Sequence, residues 1–282
     1  MLRSQKAKAT EFRRMHQEGD ILVLANAWDV ASARIFEEAG FPAIATTSGG
    51  IAISLGYPDG QRISRDEMLQ VVARIVKSVS VPVTADMEAG YGTGVSEVAD
   101  TATRLIAAGA IGLNIEDSTK RPESPLFDID AQSKRISVIK EVGRLLDVPL
   151  VINARCDALL VGKDPAASLD EAVERGREYR KAGADCFFPV GAIDSETISR
   201  IVKQVGCPVN ILVTKGVPPI NELRRLGVRR VSVGSGPARA TLGLVGKIAR
   251  ELREKGTYMS LLEGAPSHAE ANELVAPSQK RN

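Results

Sequence analysis

The most constraining feature of this sequence is the alternation of two signals that mark where short apolar segments begin. In one, a helical pattern ends at a glycine and an apolar segment follows; in the other, a proline directly precedes the apolar segment. Along the chain these signals come in the order Gly40, Pro82, Gly109, Pro149, Gly183, Pro208, Gly227. Glycine past a helix supplies a left-handed cap without steric cost, and proline is tolerated at the first position of a strand. The alternation therefore predicts seven strands, each entered from a helix.

An eighth apolar strand, at residues 21–26, opens the series. Strands that are apolar throughout and alternate with helices indicate a parallel sheet covered on both faces. Eight such units favour a closed (β/α)8 TIM barrel over an open doubly wound sheet, and barrels of about 250 residues form single domains. We predict one barrel domain over residues 1–264, with an N-terminal helix, followed by a polar tail over 265–282.

Three of the helix starts carry capping residues. Asp29 can cap the first helix after the opening strand, and Ser64 with Glu67 forms a capping box. Ser168 with Glu171 has the same spacing and predicts a third helix start.

Composition excludes several classes of function. The 37 Lys and Arg residues nearly balance the 35 Asp and Glu residues, which argues against nucleic acid as a partner. No stretch approaches the roughly 20 apolar residues of a membrane helix, so we expect no membrane partner. Three widely spaced cysteines predict reduced core thiols and a cytoplasmic protein. With only two histidines, both near the chain ends, catalysis is expected to fall on carboxylates, Arg, Lys, Ser and Tyr.

Acidic residues collect where three neighbouring strands end. Asp86 and Glu88 follow the third strand, Glu116 the fourth, and Arg155 lies at the end of the fifth. In a barrel of this kind, the strand ends form the functional face. Clustered carboxylates repel each other unless a cation compensates, and Mg2+ prefers oxygen ligands. The cluster predicts a Mg2+ site, with Mn2+ as a possible substitute, that could bind an oxyacid.

The sequence also allows other roles for several of these residues. Arg155 could simply pair with Glu116, and Asp117 and Asp157 could be helix caps or arginine partners. Trp28 could line the pocket or belong to the core. Asn210 is a further polar residue assigned to a strand end, here the seventh.

Two features suggest weaker sites. Lys215 after the seventh strand could form a Schiff base, as in a class I aldolase, although exposed lysines are usually only solvated. The glycine-rich segment 90–94 lacks the Lys-Ser/Thr of a phosphate-binding loop, so we expect a pliant loop beside the metal.

Five ordered motifs resemble the phosphoenolpyruvate mutase/isocitrate lyase superfamily over roughly residues 20–250. They are Ser48-Gly49-Gly50, Gly56-Tyr57-Pro58-Asp59, TADMEAGYG at 84–92, NIEDS at 114–118 and NARCD at 153–157.

The resemblance implies a barrel, a Mg2+ cofactor, and a 2-oxo or 2-hydroxy carboxylate substrate that passes through a pyruvate-type enolate. It implies that Asp86 binds Mg2+ directly, while Glu88 and Glu116 hold its waters. The resemblance also implies roles in substrate binding. The substrate carboxylate would be bound by Ser48, Gly49, Gly50 and Arg155, and Asp59 would contact the reacting part of the substrate.

Departures from the superfamily pattern narrow the activity. The segment 118–125 lacks the Cys and His of isocitrate and 2-methylisocitrate lyases, so we predict neither activity. What remains resembles the carboxyvinyl-carboxyphosphonate phosphorylmutase-like subgroup. C–C cleavage, as in a lyase or oxaloacetate decarboxylase, is our first expectation, with P–C cleavage by a phosphonomutase or phosphonopyruvate hydrolase as the alternative. A Schiff-base aldolase using Lys215, or a non-catalytic oxyacid-binding barrel, also stays open.

Two segments predict motion and assembly. The polar segment 118–127, with two prolines and basic Lys120 and Arg121, is expected to be a lid over an anionic substrate. The helical segment 237–255 carries apolar residues beyond the point where the barrel is closed. Together with the resemblance, this predicts a homo-oligomer, a dimer of dimers, that exchanges its C-terminal helix.

Overall fold

A computed structural model describes residues 2–276 of the chain. Eight strands, all parallel to their neighbours, form its centre. They are β1 (Leu22–Ala27), β2 (Ile44–Thr46), β3 (Val83–Asp86), β4 (Gly112–Glu116), β5 (Val151–Cys156), β6 (Cys186–Pro189), β7 (Asn210–Leu212) and β8 (Arg230–Ser232).

The strand order confirms the predicted barrel. β1 pairs with both β2 and β8, and the remaining strands follow each other in chain order. β6 and β7 meet through one parallel bridge, between Phe187 and Val209, which closes the ring. The strands are buried almost throughout, because helices cover the outer face and side chains fill the interior.

Thirteen helices lie between and after the strands within residues 2–276. They are α1 (Leu2–Gln17), α2 (Val30–Glu38), α3 (Ser48–Ser54), α4 (Arg65–Ser78), α5 (Val95–Ala107), α6 (Ile129–Leu145), α7 (Ala158–Val161), α8 (Pro165–Lys181), α9 (Ser195–Val205), α10 (Ile220–Arg225), α11 (Gly236–Lys255), α12 (Met259–Leu262) and α13 (His268–Val275). None of these helices is long and apolar enough to cross a membrane.

Local signals locate most helix ends correctly. Asp29 caps α2, and Ser64 with Glu67 forms the predicted capping box of α4. The prediction for Ser168 is wrong, because α8 begins one turn earlier, with Asp164 as its N-cap and Pro165 in its first turn. The hydroxyl of Ser168 instead donates to the carbonyl of Asp164, a bond inside the first turn.

The lower end of the barrel is closed by α1, which buries His16 against the strand β8. His16 is 1% exposed, and its Nδ1 lies 2.8 Å from the carbonyl oxygen of Phe12. That contact requires Nδ1 to carry the proton, so Nε2 is the acceptor for the guanidinium of Arg230, at 3.5 Å. Burial, reinforced by the charge of Arg230, lowers the pKa of His16 to about 3. Its role is therefore structural, in line with the expectation that histidine does not perform the chemistry.

We expect His16 to make the protein less stable at mildly acidic pH. The imidazole is neutral in the folded chain, whereas the unfolded chain binds a proton below its ordinary pKa of 6.5. Stability therefore falls as the pH drops from about 6.5 toward 3, by about 2 kcal/mol between pH 7.5 and pH 5. Urea unfolding at these two pH values measures the effect. In His16→Gln, this part of the pH dependence should be absent; an unchanged difference would contradict the assignment.

The C-terminal helix α11 makes few contacts with its own barrel. Ala238 is its one buried residue, and the apolar side chains of Leu242, Val245 and Leu252 are 51%, 60% and 47% exposed. The helix contacts β1 of its own barrel, but these three apolar side chains remain in solvent. This exposure supports the predicted exchange of the helix, which stays a prediction.

Part of the predicted polar tail is helical. Residues 268–275 form α13, which lies against α2, and Nε of Arg34 donates to the carbonyl of Leu274 at 3.1 Å. The last six residues of the predicted tail, 277–282, lie outside the described residues.

We expect the protein to be a homo-oligomer, a dimer of dimers, in solution. Burial of the α11 face would remove several exposed leucine and valine side chains from water, at roughly 25 cal/mol per Å2. Light scattering should give a multiple of the 30.1 kDa chain mass. Val245→Asp places a charge on this face and should lower the mass, whereas Leu145→Asp, on α6, serves as the control because Leu145 is equally exposed. A monomer mass for the unaltered chain would contradict the prediction.

Candidate active site

The end of β3 positions Asp86 next to the first turn of α3. One carboxylate oxygen of Asp86 accepts from the hydroxyl of Ser48 at 2.7 Å and from its backbone N–H at 3.1 Å. The other oxygen lies 3.5 Å from the N–H of Glu88. Asp86 is thus held in one orientation at the rim. Ser48, which was predicted to bind the substrate carboxylate, therefore also orients the predicted metal ligand Asp86 through its hydroxyl.

Glu88 follows in an unusual backbone conformation that turns its side chain inward. Its φ is +48°, a left-handed value that an L-residue seldom adopts. The carboxylate is 2% exposed, and neither oxygen accepts a hydrogen bond from the residues that the structure describes. Burial, together with the charges of Asp86 and Glu116, raises the pKa of Glu88 to about 8. A buried carboxylate without hydrogen-bond donors is stabilised by a nearby cation or bound water, and the ammonium of Lys120 lies 3.9 Å from one oxygen of Glu88.

Glu116, the last residue of β4, is equally buried but has two cationic partners. The guanidinium of Arg155 lies 2.8 Å from one carboxylate oxygen, and Nζ of Lys120 contacts the other. The same ammonium is 3.9 Å from Glu88. Burial raises the pKa of Glu116, and the two cations oppose that shift.

Arg155 is fixed chiefly by Asp157, two residues further along. Its Nε and Nη2 donate to the two carboxylate oxygens of Asp157 at 2.7 and 2.9 Å, and Nη1 pairs with Glu116. The open readings of Arg155 as a partner of Glu116, and of Asp157 as an arginine partner, are both confirmed. Two parallel hydrogen bonds, a geometry that could have bound the substrate carboxylate, are therefore formed with Asp157 instead. Among residues 5–276, two of the five guanidinium N–H groups have no acceptor and stay available to a ligand.

The opposite side of the mouth is formed by α3 and the loop after it. A side chain on Gly49 would come within 2.9 Å of the carboxylate of Asp59, and one on Gly50 within 3.0 Å of Cβ of Trp28. Asp59 is exposed, and its carboxylate lies beside Gly49, the residue next to the Ser48 that binds Asp86. These predicted residues therefore meet at one mouth, where the glycines allow the close approach.

Asn210 does not lie where the sequence suggested. It is the first residue of β7, fully buried, and its side-chain amide donates to Ser232 at 3.1 Å. The predicted position beyond the strand end is wrong, because β7 begins at this residue. Its contact with substrate stays a prediction.

Lys215 lacks the surroundings of a Schiff-base lysine. It is exposed in the loop after β7, whereas such lysines usually sit in desolvated pockets or beside another cation. The aldolase alternative thus receives no support from the site.

The geometry fits a Mg2+ ion bound through few protein ligands. Among residues 5–276, no three His, Cys, Asp or Glu side chains form a cluster that could hold an ion directly. An ion at this mouth would therefore have fewer than three direct ligands of these types, and the roles of Asp86, Glu88 and Glu116 stay predictions. Mg2+ commonly keeps several waters in proteins, and the unsatisfied oxygens of Glu88 are suited to accept hydrogen bonds from them.

Two residues near the acids were not assigned to the site from sequence. Lys120 was expected over the substrate, but its ammonium contacts Glu116 and Glu88. The hydroxyl of Tyr91 is buried without a partner among the described residues, and burial and the charge of Glu88 raise its pKa. Tyr91 belongs to the motif at 84–92, so the sequence predicts that it lies near the acids. The sequence does not predict the direction of its side chain.

The predicted lid is a small hairpin with a fixed base. Ser118 and Leu126 form an antiparallel bridge, and Phe127 donates its N–H to the carbonyl of Asp117 at 2.8 Å. Residues 120–124 at the tip are exposed. The base is fixed by these bonds and Lys120 at the tip pairs with Glu116, so closure of the segment over a substrate stays a prediction.

We expect Mg2+ with oxalate to protect the lid from proteolysis. Trypsin should cut after Lys120 but not after Arg121, which precedes proline. A closed lid would shield the bond after Lys120, while cleavage after the exposed Lys181 should continue and serves as the control. Equal cutting after Lys120 with and without ligand would show that the segment is a static connection.

Two curated relatives cover most of this chain. A 2-methylisocitrate lyase of Escherichia coli (strain K12) is 30% identical over 254 residues, 86% of this chain and 83% of that protein. An oxaloacetate decarboxylase of Bradyrhizobium sp. (strain ORS 278) is 32% identical over 252 residues, 85% and 83% of the two chains. The predicted absence of 2-methylisocitrate lyase activity is therefore not confirmed and depends on segment 118–125 alone.

Two solved structures have a fold similar to that of this chain. A protein of Burkholderia cenocepacia J2315, provisionally described as a lyase/mutase, superposes with a TM-score of 0.90 at 38% identity over 97% of both chains. A phosphonopyruvate hydrolase solved with oxalate and Mg2+ has a TM-score of 0.84 at 26% identity, covering 95% of this chain and 94% of that one.

The family model for phosphoenolpyruvate phosphomutase matches residues 12–253, which include all eight strands and every acid of the mouth. By this match and by the geometry of its site, the chain belongs to the phosphoenolpyruvate phosphomutase family, within the phosphoenolpyruvate mutase/isocitrate lyase superfamily of lyases and mutases.

Proposed function

We propose that this protein is a Mg2+-dependent lyase that cleaves a C–C bond next to the 2-oxo or 2-hydroxy group of a small carboxylate. The observation that carries the proposal is the buried carboxylate pair of Glu88 and Glu116 beside Asp86, with Arg155 at the same rim. The oxaloacetate decarboxylase relative and the oxalate and Mg2+ in the phosphonopyruvate hydrolase support this substrate class.

Each residue of the mouth has a distinct task in this proposal. Asp86 would ligate the ion directly, and Glu88 and Glu116 would hold its waters. Mg2+, when bound, supplies Lewis-acid stabilisation for negative charge that develops on an oxyacid. Arg155 would use its two unengaged N–H groups to bind and orient the substrate carboxylate.

The chain itself supplies the remaining parts of the site. The absence of side chains at Gly49 and Gly50 lets Asp59 and Trp28 pack against α3, and the backbone there would bind the substrate carboxylate. Lys120 contributes a positive charge at the tip of the lid that offsets the acids. Closure of that lid would exclude water from a reactive enolate.

The proposal is tested by a panel of 2-oxo and 2-hydroxy di- and tricarboxylates together with phosphonopyruvate, assayed with Mg2+ and after chelation. Formation of pyruvate or glyoxylate is measured enzymatically. Oxaloacetate also decarboxylates without enzyme in the presence of divalent ions, so a protein-free blank and an Asp86→Ala blank are both needed. Mg2+-dependent turnover above both blanks is the expected result.

Three other outcomes of the panel would reject the proposal. Turnover of phosphonopyruvate alone would indicate P–C cleavage. Turnover that persists after chelation and is trapped by borohydride would indicate a Schiff-base enzyme. Binding of oxyacids without turnover of any of them would indicate a non-catalytic barrel.

A further inference from the structure

Side chains from several elements hold the backbone of the loop at 89–94, which joins Glu88 to α5. Its segment 90–94 was expected to be pliant, whereas in the structure its polar groups are bound by side chains on both sides. The hydroxyl of Thr101 donates to the carbonyl of Gly90 at 2.8 Å, and the N–H of Tyr91 donates to the side-chain oxygen of Gln61 at 2.7 Å. The N–H groups of Thr93 and Gly94 both donate to one carboxylate oxygen of Glu97, at 2.9 and 2.8 Å.

Arg135, on α6, is the centre of this arrangement. It is 1% exposed, and its guanidinium donates to three carbonyl oxygens of the loop. Nη1 donates to Gly92 at 2.8 Å and Thr93 at 2.9 Å, and Nη2 donates to Ala89. The guanidinium is thus bound to the residue immediately after Glu88.

Among residues 5–276, no carboxylate forms an ion pair with Arg135, although the charge of nearby Glu97 acts on it. Nε donates to Gln132 at 2.9 Å, and the ring of Phe127 lies 4.2 Å from the guanidinium carbon. Burial lowers the pKa of Arg135 to about 10. A buried, unpaired guanidinium is expensive, so its presence calls for a role that a neutral side chain could not fill.

Backbone strain next to the loop indicates that role. Glu88 has φ +48° and Tyr91 has φ +55°, both left-handed values. Non-glycine residues keep such conformations only where the surroundings fix them, and such residues cluster at functional sites. The bond from Arg135 to the carbonyl of Ala89 fixes the peptide plane that follows Glu88.

We propose that Arg135 is a positioning residue that fixes the backbone of the loop at 89–94, and thereby directs the carboxylate of Glu88 toward the metal waters. The inference rests on the proposed function, since it assigns Glu88 a place around the ion. Arg135 does not reach the mouth itself; it acts on the site through the main chain of the loop.

The test measures metal affinity directly, with Mn2+ as the probe and electron paramagnetic resonance of the free ion as the readout. Arg135→Lys keeps the charge but cannot bind three carbonyls in one plane. We expect its Kd for Mn2+ to rise by about 10-fold or more, as when groups that orient metal ligands are lost. In Arg135→Ala, added guanidinium chloride should restore part of the affinity, and sodium chloride at equal ionic strength should not.

Arg13→Lys is the matched control. Arg13 also donates to two backbone carbonyls, of Pro149 and Leu150, and pairs with Asp185, but it does so at the other end of the barrel. A purely structural loss would lower the melting temperature of both variants and leave the Mn2+ affinity of both unchanged. That result would overturn the inference.

A second pair of variants covers the case in which Arg135 variants do not fold. Thr101→Val removes the bond to the carbonyl of Gly90, while Thr103→Val removes a comparable bond within α5. A higher Kd for Mn2+ in Thr101→Val alone is expected, and equal values would overturn the inference. If the unaltered protein binds no Mn2+, both the proposed function and the role of Arg135 are contradicted. If the unaltered protein binds Mn2+ and Arg135→Lys binds it equally well, only the role of Arg135 is contradicted.

Discussion

Asp86→Ala is expected to abolish Mg2+-dependent binding of oxalate. Asp86 is the one acid of the mouth assigned as a direct ligand, and its carboxylate is already oriented by two bonds from Ser48. Loss of a direct ligand should exceed the roughly 10- to 100-fold loss that follows removal of an outer-shell partner. Calorimetry with oxalate, in the presence and absence of Mg2+, measures the effect.

The same substitution should not destabilise the metal-free protein, which separates ligand loss from unfolding. Asp86 is one of the charges that raise the pKa of Glu88, so its removal relieves repulsion in the cluster. We therefore expect the melting temperature without metal to be unchanged or higher, while the rise on adding Mg2+ disappears. Asp66→Ala, at an exposed surface acid, is the control. Unchanged Mg2+-dependent binding in Asp86→Ala would rule out this residue as the principal ligand.

The second large effect is expected for Arg155→Lys, which should weaken oxalate binding by at least about 10-fold despite the retained charge. The guanidinium holds both oxygens of Asp157 and one of Glu116, and it still has two N–H groups for a ligand. A lysine ammonium has three donors and no planar fork, so it cannot keep these partners and bind substrate as well.

The comparison with metal binding makes this prediction specific. Affinity for oxalate should fall more than affinity for Mn2+ alone, since a cation cannot ligate a metal ion. Arg13→Lys again serves as the control for loss of a half-buried guanidinium. If Arg155→Lys retained the oxalate affinity of the unaltered chain, the assigned position of the substrate carboxylate would be wrong.

Much of the architecture could be predicted from short contiguous segments. Gly40, Gly109, Gly183 and Gly227 have φ between +87° and +108°, as expected of glycines that end helices. Strands begin within two residues of Pro82, Pro149 and Pro208. These features follow from backbone sterics and hydrogen bonding over a few residues, so neighbouring sequence is enough to determine them. The helix start at Ser168 was misplaced because Asp164 and Pro165 offered a competing, earlier cap.

The identities of the acids at the mouth were also accessible, because parallel strands in a barrel end on the same face. The partners of those acids were decided only by the tertiary structure. The fork of Arg155 is bound to Asp157, Lys120 contacts Glu116, and Arg135 binds a loop more than 40 positions away. Such pairings depend on which buried charges lie within a few ångströms after packing. The free energy of desolvation makes any buried charge left without partners costly, and the sequence does not show which charges become buried together.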